Sequence, residues 1–336
     1  MSENYYHKMG VNIMRKRHKF TLLTSLVIAF LLVLAGCGGG QTEEANKEKE
    51  TGTESTSYTI EHAMGTTEIK GTPERVVILT NEGTEALLAL GVKPVGAVKS
   101  WLGNPWYDHI KDQMEGVTEV GTESEPNLEA IAALKPDLII GNKLRQEKIY
   151  EQLNQIAPTV FAETLKGDWK ENFMLYAKAV NKEEKGNQVM DEYNKRIDEL
   201  KGKLGDKLNQ KVSIVRFLAG DVRIYHKDSF SGVILEQLGF ARPESQNVND
   251  FAETGVTKER IPAMDGDILF YFTYEQGDGE ATKVEEEWIN DPLFKNLEVA
   301  KQGKVHKVSD VIWNTAGGVL AANLMLDDIE KYFLEN

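Results

Sequence analysis

Asn127-Leu-Glu129-Ala-Ile131-Ala-Ala133-Leu134-Lys-Pro136-Asp137-Leu-Ile-Ile140 is matched, 130 residues later, by Thr257-Lys-Glu259-Arg-Ile261-Pro-Ala263-Met264-Asp-Gly266-Asp267-Ile-Leu-Phe270. Each stretch reads as a helix N-cap, a Glu in the first turn, a short apolar-faced helix, a Pro or Gly break, an Asp and a buried strand. A weaker echo joins Ala86-Leu-Leu-Ala-Leu90-Gly91 to Val233-Ile-Leu-Glu-Gln-Leu238-Gly239. Outward from these repeats, apolar runs alternate with helix-length amphipathic stretches. Strands are expected at Val76–Leu79, Val95–Val98, Asp137–Ile140, Val160–Phe161, Lys211–Phe217, Val222–Tyr225, Ile268–Phe272 and Val305–Val308.

Alternation of this kind predicts α/β units with largely parallel central sheets, here as two Rossmann-like lobes. Between them, Val189, Tyr193, Ile197, Leu200 and Leu204 recur at helical spacing on one face of a helix from about Glu183 to Leu204. The expected organisation is an N-terminal lobe over 58–181, a connecting helix over 182–206, a C-terminal lobe over 207–336, and a ligand cleft between the lobes.

The first 36 residues read as an address. Arg15, Lys16, Arg17 and Lys19 precede an uncharged run from Phe20 to Ala35, short for a membrane span and suited to a signal-peptide core. The run ends in Leu34-Ala35-Gly36-Cys37, which resembles the processing box of bacterial lipoproteins, in which the cysteine carries lipid. Met14 directly precedes the basic block, so residues 1–13 are open as an upstream start. Residues 37–57, rich in Gly, Glu, Lys, Thr and Ser, read as a lipidated flexible tether. The address holds five Lys or Arg and one Glu, so its removal takes the net charge from −14 to −18, which argues against nucleic-acid binding. Cys37 is the lone cysteine, which excludes a disulfide framework, an iron–sulfur cluster and any multi-cysteine zinc site.

In open α/β sheets ligands sit beyond the carboxyl ends of the strands. Those ends present Asn81, Glu82, Trp101, Arg145, Arg216, Tyr274, Trp313 and Asn314. Arg216 shares the alternating face of Val212 and Ile214, where a charge must meet an anion or emerge from the core. Arg223 and Tyr225 share one face of the next strand. Arginine forks suit carboxylates and other planar oxygen anions, and tryptophan supplies rigid apolar walls; a structural salt bridge is the competing account of each arginine. No GxSxG, Walker loop, HExxH or dinucleotide fingerprint is present. His62, His109, His226 and His306 are scattered, so no intrinsic metal or cofactor is expected and a metal would arrive already chelated. Glu129 and Glu259 suit the helix dipole, and their common offset also suits a pair of docking charges.

Arg75-Val-Val-Ile-Leu, the 127–140 stretch and Val222-Arg-Ile-Tyr-His-Lys-Asp-Ser-Phe-Ser-Gly together resemble the substrate-binding lipoproteins of iron–siderophore ABC importers, from about Arg75 onward. The Val-Arg-Ile-Tyr stretch resembles the Gram-positive branch that takes hydroxamate and citrate-based siderophores. The resemblance implies a monomeric receptor, held outside the cell membrane by lipid on Cys37, that carries iron(III) as a ferric siderophore. It implies that Glu129 and Glu259 dock on permease subunits, and that Arg145, Arg216, Arg223, Trp101, Tyr225 and Trp313 hold the ligand. His226 has no assigned role. A haem or cobalamin receptor of the same class and a surface-anchored hydrolase stand as the alternatives.

Overall fold

The computed structural model describes residues 57–335. Cys37, the 1–36 address and all of the tether except Ser57 lie outside them. The described chain opens with an antiparallel hairpin, β1 (Ser57–His62) and β2 (Gly65–Lys70), which is absent from the expected strands; its buried positions are Ile60, Thr67 and Ile69, and Glu61, Thr66, Glu68 and Lys70 beside them are exposed.

Two five-stranded sheets follow. The first contains β3 (Val76–Ile78), β4 (Gly96–Ala97), β5 (Thr118–Glu119), β6 (Leu138–Asn142) and β7 (Thr159–Ala162) in the order β5-β4-β3-β6-β7, every pair parallel. The second contains β8 (Val212–Leu218), β9 (Asp221–Tyr225), β10 (Ala252–Glu253), β11 (Ile268–Thr273) and β12 (Val305–Lys307) in the order β10-β9-β8-β11-β12. Counted along the chain, both sheets run third, second, first, fourth, fifth. Strands β8, β11 and β12 are parallel, while β9 is antiparallel to β8 and to β10. Only Ala219 and Gly220 join β8 to β9, too few for the crossover that a parallel pair needs, and Gly220 takes the positive φ of the tight turn.

The sequence repeat has a physical counterpart at its aspartates. Asp137 accepts the backbone N–H groups of Glu74 and Arg75 on its carboxylate, and donates its own N–H to the Arg75 carbonyl. Asp267 accepts the Lys211 N–H on its carboxylate and donates its own N–H to the Lys211 carbonyl. In each sheet the repeat Asp therefore staples the start of the fourth strand to the start of the first and fixes their register. The weaker echo is a pair of equivalent helices, Asn81–Ala89 and Phe230–Leu238, capped by Thr80 and Ser229 through the N–H groups of Gly83 and Gly232. A Cβ at Gly232 would lie 2.2 Å from the His226 carbonyl oxygen, so only glycine fits that close turn.

The helices of the repeat differ. Asn127 caps an α-helix, Leu128–Ala133, through the Ala130 N–H; Thr257 makes no such bond, and Lys258–Met264 is a 3-10 helix. Pro262 inside it lacks the N–H that an α-helical turn would use.

Glu183–Leu204 is one helix, about 33 Å long at 1.5 Å per residue. Its buried face is Gly186, Met190, Tyr193, Ile197, Leu200 and Leu204, so Met190 rather than Val189 begins the central stripe. It packs on Trp169–Ala179 from the first lobe, on Phe230–Leu238 from the second, and on the terminal helix Val319–Leu334. Strand residues of alternate parity divide the core. Ile78, Ile140, Val212, Ile214 and Phe270 belong to one cluster that runs without a break through the connecting helix, whereas Val77 and Ile139, or Val215 and Phe217, pack in separate clusters on the outer sheet faces. Among the described residues no helix is long and apolar enough to cross a membrane.

Candidate functional site

A cavity of about 490 Å³ lies where the two sheets present their strand ends, a volume in the range of small-molecule sites. The order of each sheet reverses between its first and fourth strands, β3/β6 and β8/β11. From these two switch points come Glu82 and Arg145 on one side, Arg216 and Tyr274 on the other. Trp101 follows β4, Glu123 follows β5, Lys166 follows β7, and residues 314–317 follow β12. Phe230, Phe251, Leu144, Leu165 and Leu218 add apolar wall.

The lobes meet around this cavity. The Tyr274 hydroxyl donates to the Trp101 carbonyl at 3.5 Å, and the Tyr107 hydroxyl to the Thr315 carbonyl at 2.9 Å. The Lys166 ammonium stands 5.1 Å from the centre of the Phe251 ring.

Arg216 is buried, with Nε 2.7 Å from Asp310 Oδ2, Nη2 3.2 Å from Oδ1, and Nη1 donating to the Tyr225 hydroxyl at 3.2 Å. Burial opposes its charge, but Tyr225 and Asp310 together outweigh that and hold its pKa above the usual guanidinium value. Its guanidinium also lies 4.9 Å from the centre of the Tyr274 ring. The salt-bridge account of this arginine and its position in the cleft are therefore both realised. Arg223, 28% exposed, donates Nε to Asp221 at 2.7 Å. Arg145, 41% exposed, stands over Trp101 at 5.7 Å, with Nε 3.7 Å from Glu123.

Two carboxylates lie at the floor. Glu123 is buried and accepts the Asn81 backbone and amide N–H groups at 2.7 and 2.8 Å; burial nevertheless pushes its pKa up. Glu82 is also buried, and its Oε1 has no hydrogen-bond partner.

Of the six residues expected to hold ligand, Arg145, Arg216, Arg223 and Trp101 line the cavity. Tyr225 does not: it is fully buried behind Arg216, against Phe251 and Phe272, and acts on the site by holding Arg216 in place. Trp313 does not either. A single π-helical turn, Val311–Thr315, directs it into the core, where its ring lies 4.7 Å from Phe270 and its indole N–H donates to Asp328. The backbone beyond it, 314–317, forms the wall instead. His226 is buried outside the cavity with Nδ1 2.5 Å from Asp250.

Glu123, Lys166, Phe230 and Phe251 join the site without having been expected there. Glu123 and Phe251 adjoin β5 and β10, strands of two residues that leave no periodicity to read. Lys166, four residues beyond β7, was open to the strand-end rule. Among the described residues, no cluster of His, Cys, Asp and Glu is arranged to hold a metal ion.

Glu129 and Glu259 are exposed. Each stands at the start of a helix that runs back to feed the next parallel strand, and such a helix starts on the side of the strands' carboxyl ends. Both carboxylates thus lie on the cleft side of their lobes. The Thr257 hydroxyl, then its own backbone N–H, hold Glu259 below its ordinary pKa.

Residues 76–310 match the family described as periplasmic binding protein. The chain is 55% identical over 319 residues to YfiY of Bacillus subtilis, named a probable siderophore-binding lipoprotein, covering 93% of this chain and 98% of that one. It is 31% identical to the Fe(3+)-citrate-binding protein YfmC of the same organism, over 94% of this chain and 97% of that one. Among solved structures, Staphylococcus aureus SirA complexed with staphyloferrin B is 37% identical, with a TM-score of 0.76, over 82% of this chain and 98% of that one.

Proposed function

We propose, from the premise that this chain belongs to the periplasmic binding protein family, that it is a lipid-anchored extracytoplasmic receptor. It captures a ferric siderophore in the cleft and hands it to the permease of an ABC importer. The observation that carries this reading is the cavity itself, where Arg145, Arg216 and Arg223 meet Trp101, Phe230, Phe251 and Tyr274 at the switch points of both sheets. A ferric siderophore is bulky and already ligated by its own oxygens. It needs no metal ligand from protein, only cations facing its oxygens and flat apolar walls. YfiY, YfmC and SirA support the ligand class, and a carboxylate or citrate-hydroxamate siderophore fits the arginines best.

The test is quenching of tryptophan fluorescence by a panel of ferric staphyloferrin B, ferric citrate, a ferric citrate-hydroxamate and neutral ferrichrome. Saturable binding of an anionic member is expected. Binding of none of them, or a Soret band in protein purified from iron-starved cells, would replace this reading.

Two predictions concern delivery. Cys37→Ala leaves ligand affinity unchanged and leaves the protein unlipidated, read by membrane fractionation; a variant that matures and stays membrane-bound would remove the anchor assignment. Glu129→Ala/Glu259→Ala binds ligand as wild type does but lowers cellular iron uptake, by up to roughly tenfold, since single exposed pairs contribute little and two act together. Normal uptake in the double variant would return both residues to the helix dipole.

A further inference from the structure

The floor of the cavity holds a carboxylate for which capture of an anion has no obvious use. Glu82 is 6% exposed, lines the cavity, and leaves Oε1 buried without a hydrogen-bond partner. Its surroundings supply little to balance a negative charge. From the segment after β5 comes Glu123, itself buried. From the helix Trp169–Ala179 and the residue before it come Asn172, Tyr176 and Asp168. Of the cations lining the cavity, Arg145, after β6, is directed to Glu123 and Trp101, Lys166, after β7, stands over Phe251, and on the opposite lobe Arg216 is engaged by Asp310 and Arg223 by Asp221. On its own helix, Glu85 is bound to His109 and to the Ala321 N–H. The facing segment after β12 lines the cavity through residues 314–317, which carry no charged side chain. Two neighbouring carboxylates therefore sit under a cavity whose cations invite an anion.

An anionic occupant and an ionised, buried Glu82 repel each other, and the least costly relief is a proton on the carboxyl. We infer that Glu82 is a proton-linked determinant of ligand charge: filling the cleft with an anionic ferric complex places a proton on Glu82, so that capture takes up about one proton. This inference deepens the receptor reading and rests on it. Burial, with the charges of Glu123 and Asp168 beside it, already pushes Glu82 well above the ordinary carboxylate range, though the Asn172 amide and the Tyr176 hydroxyl work the other way. An anion in the cleft moves it further up. The sign follows from linkage. Affinity is constant below the pKa of Glu82 in the free protein. It then falls by up to about tenfold per pH unit until the pKa in the complex is passed, because the protonated form is the one that accepts the anion.

The experiment is calorimetric titration of the mature chain with ferric staphyloferrin B and ferric citrate, from about pH 6 to about pH 8, in two buffers of different ionisation heat. Wild type is expected to take up protons on binding the anion within this range. Its affinity should fall with pH at least tenfold more than that of Glu82→Gln, which carries the neutral form permanently. Comparing both proteins with the same probe solutions cancels the pH-dependent speciation of the iron complexes. Equal pH slopes, or the same proton uptake in Glu82→Gln, would overturn the inference. If Glu82→Gln fails to fold, the two-buffer measurement on wild type decides alone, and zero proton exchange overturns it. Failure of both probes and of the whole panel to bind at any pH would sink the receptor reading, and this inference with it. Binding without proton exchange sinks only this one.

Discussion

Arg216→Ala is expected to lose about 3–5 kcal/mol of folding stability, because it strands Asp310 as an uncompensated charge in the interior. The Asp310 side chain is 2% exposed and its carboxylate is engaged twice by the guanidinium. The same deletion removes the donor that reaches the Tyr225 hydroxyl from a ring with no exposed surface. Urea unfolding of the ligand-free protein is the measurement. Arg216→Met/Asp310→Leu should recover most of the loss, since a buried pair replaced by apolar groups of similar volume is often neutral. Arg216→Lys should fall between, keeping the charge and losing the fork. A shift under about 1 kcal/mol in Arg216→Ala would mean that water or a rearranged neighbour solvates Asp310, and that the pair does not hold the cleft.

Arg145→Ala and Arg223→Ala are expected to leave the fold intact and each to weaken an anionic ferric complex by roughly tenfold to a hundredfold. That corresponds to about 1.5–3 kcal/mol for a charge-assisted hydrogen bond in a partly desolvated cleft. The difference from Arg216 lies in what each guanidinium already does. Arg223 donates Nε to Asp221, and Arg145 approaches Glu123 only to 3.7 Å, so both keep Nη groups for a ligand. Neutral ferrichrome should lose far less, having no net charge for them to meet. Equal losses for anionic and neutral probes would indicate that these arginines act through packing on Trp101 or through strand geometry.

The lobes were legible because their signals are local and repeated. The Asp137 and Asp267 elements, the apolar runs and the stripe around Tyr193 each follow from periodicities of two or near four that burial imposes. The eight expected strands all exist, with ends shifted by one or two residues. The hairpin Ser57–Lys70 and the two-residue strands β5 and β10 were not legible. The pairing of β5 and β10 is decided by neighbours distant in sequence, while the hairpin pairs locally but buries only two apolar residues of its strands, Ile60 and Ile69, too few to stand out as a pattern. The site divides along the same line. Strand-end position found Glu82, Trp101, Arg145, Arg216, Tyr274 and Asn314. It could not foresee that Trp313 turns inward while its neighbours face the cavity, since that depends on one π-helical turn. Nor could it separate Arg216, which lines the cavity, from Tyr225, which supports it from behind.

The unbroken core that joins the inner faces of both sheets through the connecting helix has a thermodynamic consequence. Excising either lobe would expose the apolar face of its sheet, half of the connecting helix, and the helices at 169–179 or 230–238 that pack on it. The halves therefore repeat a strand order without being independent folding units. Heating should melt them in one cooperative transition, with calorimetric and van't Hoff enthalpies in agreement. A ligand bound at the cleft then protects every part of the molecule against unfolding, including backbone far from the cavity, by the same free energy.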